Sequence, residues 1–77
     1  MPGMPDAFGV VLFYTHSAAL RAEKILLKNG LTIKLIPTPR EFSSDCGIAL
    51  RFEQDQETRV RELLESGRVE VASIHKL

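Results

Sequence analysis

The side chains able to do chemistry cluster around one thiol. Cys46 is the single cysteine among 77 residues, preceded by Ser43, Ser44 and Asp45 and followed by Gly47, with Thr38 and Arg40 a few positions upstream between and beside Pro37 and Pro39. A thiolate is a strong nucleophile and a soft-metal ligand, and nearby positive charge promotes it. Arg40 would supply such charge, and so would an imidazolium at His16 or the N-terminus of a helix. Asp45 acts in the opposite direction. Gly47 leaves the sulfur less crowded, and the hydroxyls of Thr38, Ser43 and Ser44 are donors for an anion.

Each of these residues also has a plain structural role. A cysteine at the start of a strand is commonly a small buried hydrophobe. His16 reads equally as a turn or capping residue, Arg40 as a surface charge, and Ser43-Ser44 as a serine turn. His75, beside Lys76 near the C-terminus, reads as solvated.

Composition limits the rest. The chain has 44% hydrophobic and 26% charged residues, ordinary for a folded soluble domain, and its 8.6 kDa allows one domain with a small core. Ten Lys plus Arg balance ten Asp plus Glu, so no excess field attracts phosphate backbones or anionic lipid, and neither nucleic acid nor membrane is expected as a partner. The apolar run at residues 8–14 is too short to span a bilayer, and no basic region of the signal-peptide kind precedes it. A lone cysteine makes no intramolecular disulfide, which fits a reducing, cytoplasmic compartment. One cysteine and two distant histidines make a poor zinc set, so no metal or other cofactor is expected.

The elements that must position the thiol follow from periodicity. Residues 1–7, with two Pro and a Gly, read as a flexible lead-in, and residues 8–77 as a single domain. A β-branched and aromatic run at 8–14 predicts a buried strand. Ser17 is positioned to cap a helix from Ala18, whose apolar stripe (Ala18, Ala19, Ala22, Ile25, Leu26) ends at Asn29-Gly30. Residues 32–36 predict a second strand, 37–46 a loop, and 48–52 a third strand. A helix carrying Val60, Leu63 and Leu64 closes at Gly67, and 69–74 predict a fourth strand.

The order β-α-β-β-α-β predicts an α+β, ferredoxin-like fold, a four-stranded antiparallel sheet of order 4-1-3-2 with two helices on one face. That topology gathers His16, Ser17 and the loop with Arg40 and Cys46 at one end of the sheet. Period-2 counting turns Val11, Phe13, Ile36 and Ala49, with Ala72 or Ile74, away from the helices. An open face this apolar predicts a cover, such as a homodimer or a partner domain.

The segments Pro37-Thr38-Pro39-Arg40, Ser43-Ser44-Asp45-Cys46-Gly47 and Ile48-Ala49-Leu50-Arg51-Phe52, with the earlier His16-Ser17-Ala18-Ala19-Leu20-Arg21-Ala22-Glu23-Lys24, resemble the signature of the bacterial Se/S carrier protein-like family. The resemblance covers about residues 8–76. It implies a short protein whose cysteine, here Cys46, carries sulfur or selenium as a persulfide or selenosulfide between a donor enzyme and an acceptor protein. Thr38, Arg40, Ser43, Ser44 and Gly47 define the loop of that thiol. A carrier or binding protein, rather than an independent catalyst, is thus expected.

The rival reading is a non-catalytic regulatory module that grips an anion through Arg40 and loop amides and dimerises through its open sheet face. Other readings lack their residues. An RNA-recognition domain displays stacking aromatics and a basic surface, where the third strand offers Ile48, Ala49, Leu50 and Arg51 and the net charge is zero; no paired cysteines follow the first strand for a metal chaperone, and no Ser-His-Asp set is evident for a hydrolase.

Overall fold

In the computed structural model, the described residues are 7–42 and 47–77. The predicted lead-in therefore falls, apart from Ala7, outside the described residues. The elements are β1 (Phe8–Leu12), α1 (His16–Lys28), β2 (Ile33–Pro37), β3 (Ile48–Glu53), a 3-10 turn (Gln54–Gln56), α2 (Glu57–Ser66) and β4 (Ser73–Lys76). They form one antiparallel sheet of order β2-β3-β1-β4, which reads 4-1-3-2 from its other edge. The β-branched, unbroken β1 is interior, and Pro37, which lacks a ladder donor, sits at the end of edge strand β2.

Both helices end in the same way. After α1, Leu31 N–H donates to Leu26 C=O and Gly30 N–H to Leu27 C=O, with Gly30 at φ 80°. After α2, Val69 N–H donates to Leu64 C=O and Arg68 N–H to Glu65 C=O, with Arg68 at φ 56°. These are paired Schellman closures. Leu31 and Val69 return to the core in each case, so the left-handed residue after α2 is Arg68 rather than the glycine before it. This closure also moves the last strand. Residues 69–72 bury apolar side chains without joining the full ladder, and pairing with β1 begins at Ser73, four residues later than the apolar run suggests.

The main core lies between the helices and one sheet face. Val11, Phe13, Leu50 and Phe52 meet Ala18, Ala19, Ala22 and Leu26 of α1 and Val60 and Leu64 of α2. The alanines let α1 approach the sheet closely. A second cluster, Val10, Leu12 and Ala49 with Ile36, Phe42 and Ala72, occupies the opposite face.

The expected phase of β1 is thereby corrected. Ile36, Ala49 and Ala72 do turn away from the helices, but Val11 and Phe13 face them. Register dictates this. Leu12 pairs with Ala49, which pairs with Ile36, so Leu12 and not Val11 shares their face. At the β4 edge, Ala72 N–H donates to Leu12 C=O at 2.8 Å although Ser73 is Leu12's registered partner. Two residues thus oppose one, as in a β-bulge, and the alternation shifts there.

Candidate functional site

Leu12 pairs with Ala49 and Pro37 with Ile48, so the end of β1, the end of β2 and the start of β3 share one end of the sheet. The β1–α1 junction leaves from that end. Thr15 caps the helix there: its Oγ1 accepts a hydrogen bond from Ala18 N–H at 3.1 Å, two residues before the expected cap Ser17. His16 is the first residue of α1 and is exposed.

Thr15, Ser17 and Arg21 line a cleft of about 270 Å³ with Arg68 and Glu70. Arg21 donates to Gly67 C=O at 3.0 Å, tying the α2–β4 connection to this end. A larger groove of about 450 Å³ opens between α2 and β4, over Leu64, Val69, Val71 and Ile74.

The β2–β3 loop is pinned at its base and at its middle. Thr38 N–H donates to Gly47 C=O at 3.2 Å, one step beyond the last registered pair, so the strands close on the loop rather than splay. Within it, Phe42 N–H donates to Pro39 C=O at 3.0 Å, a turn that folds the chain back. The turn delivers the Phe42 ring to the open sheet face, against Val10, Leu12 and Ala49, which are 0%, 3% and 0% exposed.

Phe42 also stacks on His75 of β4, with ring centroids 4.5 Å apart and planes 16° from parallel. Ser73 Oγ lies 2.9 Å from His75 Nε2. The described limb of the loop therefore carries the Phe42 ring from β2, past β3 and β1, to β4, roughly 14 Å at three strand spacings. His75, expected in solvent, is half-buried beneath an aromatic ring. Its place at an open-face position of a strand was the available signal, obscured by reading the strand four residues early.

Of the candidate site residues, Cys46, Ser43 and Ser44 lie outside the described residues, as does Asp45. Arg40 is exposed, Thr38 half-buried and Gly47 exposed, with open space where a Cβ would project. The fold brings His16, Thr38, Arg40 and Gly47 to one end of the sheet. Phe42 carries the loop over the open face, whereas the cleft at Ser17 lies on the helix side. Among the described residues, no hydrogen bond or ion pair joins the side chain of His16 or Arg40 to another group. Also among the described residues, no group of three or more His, Cys, Asp or Glu is placed to hold a metal ion, and no helix is long and apolar enough to cross a membrane.

No curated protein and no solved structure matches the chain. A family model does, over residues 8–76, and it is described as "Putative Se/S carrier protein-like". That match takes in both helices, all four strands and the pinned β2–β3 loop, and by it the chain belongs to the Se/S carrier protein-like family.

Proposed function

We propose that this ferredoxin-like domain carries sulfur or selenium on Cys46, receiving the atom from a donor enzyme and handing it to an acceptor protein. Family membership across residues 8–76 is the observation that supports this reading most strongly. The chemistry needs only a thiol and an exchange step. The Cys46 thiolate attacks the terminal sulfur of a persulfide on the donor. The donor's S–S bond breaks, its cysteine leaves as a thiolate, and Cys46 holds the new persulfide. The oxidation level moves with the sulfur, so no further oxidant is required. A donor carrying terminal selenium gives a selenosulfide by the same step.

The loop geometry suits this role. The Thr38–Gly47 hydrogen bond gives it a firm base immediately after Cys46 in sequence, and exposed Arg40 is the cation in the same loop that would favour the thiolate. A carrier works by presenting its atom inside other proteins' sites, which fits a thiol on a loop at the end of a sheet better than one in a deep pocket. Pure protein is incubated with a cysteine desulfurase and cysteine, then read by intact mass. One added sulfur is expected, absent in Cys46→Ser; failure of the native chain to load would sink the reading for that donor. Alkylation followed against pH should titrate below the roughly 8.5 of an ordinary cysteine.

A regulatory module dimerising through the open sheet face is the weaker reading. The chain's own Phe42 already occupies the patch over Val10, Leu12 and Ala49. Anion binding that survives Cys46→Ser would favour it.

A further inference from the structure

The geometry points to His75 as a positioning residue of the carrier loop, the contact that clamps its described segment, residues 38–42, to the sheet. Among the described residues of the loop, Phe42 is held by the turn bond from its N–H to Pro39 C=O and by the packing of its ring on the open sheet face. That ring rests on small and branched side chains, Val10, Leu12 and Ala49, that shape a floor but offer no flat partner. The flat partner is His75. It reaches the ring from the far edge strand, opposite Val10 in register, at 4.5 Å and 16°.

The imidazole is itself held. Its Nε2 lies 2.9 Å from Ser73 Oγ, two residues along the same strand and on the same face. Register sets that face: Ser73 pairs with Leu12 and His75 with Val10, both on the open face. Ser73 therefore orients His75, His75 orients Phe42, and Phe42, four residues before Cys46 in sequence, is held on the open face. The functional half of this chain of contacts rests on the carrier reading. The clamp itself does not.

Hydrogen exchange tests the clamp. An aromatic stack contributes enough that removing it should raise the opening equilibrium of this segment roughly two- to tenfold. In His75→Ala, the amides of Phe42 and Thr38 should exchange faster by that factor, while the β1–β3 ladder amides keep their native protection. His75→Phe keeps a ring and should restore protection; Ser73→Ala should give a smaller loss. Unchanged loop exchange in His75→Ala, or no recovery in His75→Phe, overturns the clamp. Sulfur uptake from a cysteine desulfurase tests positioning, with His75→Ala expected several-fold slower than native and His75→Phe close to native. Lost protection with undiminished uptake overturns the positioning role. Absence of uptake by the native chain instead overturns the carrier reading, while the exchange result decides the clamp by itself.

Discussion

The ring of Phe52 occupies the space where a side chain at residue 9 would begin. A Cβ built on Gly9 would lie 2.2 Å from Phe52 Cζ and 2.6 Å from Cε2. The two residues pair across β1 and β3, so the glycine's missing side chain is filled from the opposite strand. Gly9→Ala should therefore push the ring off its seat and destabilise the fold by about 1–3 kcal/mol, the usual range for overpacking. In a domain of this size that corresponds to a fall in melting temperature of about 4–8 °C per kcal/mol. Thermal unfolding of Gly9→Ala beside Gly9→Ala/Phe52→Leu checks this. The smaller ring-free residue should return part of the loss, and strict additivity of the two changes would contradict the contact.

The same pair explains what the sequence could and could not reveal. Element types and order were legible, because each apolar run carries its own period and each helix its own stop. The phase of β1 was not, since Phe8, Val10, Val11, Leu12 and Phe13 are apolar on both faces. Only cross-strand facts, Gly9 against Phe52 and Leu12 against Ala49, decide it. The family and the loop were legible from residues 37–52. The partnership of Phe42 with His75 was not, since it joins positions 33 residues apart through a bulge that no local pattern announces.

Phe42 is the chain's own cover for an apolar patch. Phe42→Ala should cost about 2 kcal/mol, below the roughly 3–5 kcal/mol typical of a fully buried phenylalanine, because the ring is only half-buried. Val10, Leu12 and Ala49 would then face solvent, so the variant should bind an apolar dye and gain mass with concentration in light scattering. A variant as stable and as monodisperse as the native chain would show that the ring covers nothing of consequence.

The two helix closures make opposite predictions for a glycine. Gly30 sits at φ 80° with nothing within 4 Å of where a Cβ would stand, so Gly30→Ala should cost about 1 kcal/mol from backbone strain alone. Arg68 holds the equivalent position after α2 at φ 56° with an exposed side chain. Relief of left-handed strain, about 1–2 kcal/mol, outweighs the added freedom of the unfolded glycine, about 0.4–1 kcal/mol, so Arg68→Gly should stabilise. Urea unfolding of both variants measures the two signs. A loss of stability in Arg68→Gly would mean that the arginine side chain contributes more than its backbone costs.

Glu57 opens α2 and pairs with Arg61 one turn on, Arg61 Nη2 lying 2.7 Å and Nε 2.8 Å from Glu57 Oε2. The Arg61 hydrogen bond, helped by a bond from Gln54 and by the charge of Lys76, holds the Glu57 carboxyl below its ordinary value of 4.5, against a smaller opposing effect of burial. A folded-state value below the unfolded one means that the carboxylate form stabilises the fold. That contribution is complete above pH 4.5 and disappears as pH falls through the lowered folded value. Both partners of this i, i+4 pair are partly exposed, so its effect is small and screened by salt. Glu57→Gln should thus be less stable than the native chain at neutral pH and low salt. The two unfolding curves should converge as pH falls through the lowered folded value, and also at 1 M salt. A gap that persists at low pH would assign the loss to the amide's fit beside Gln54 rather than to the charge.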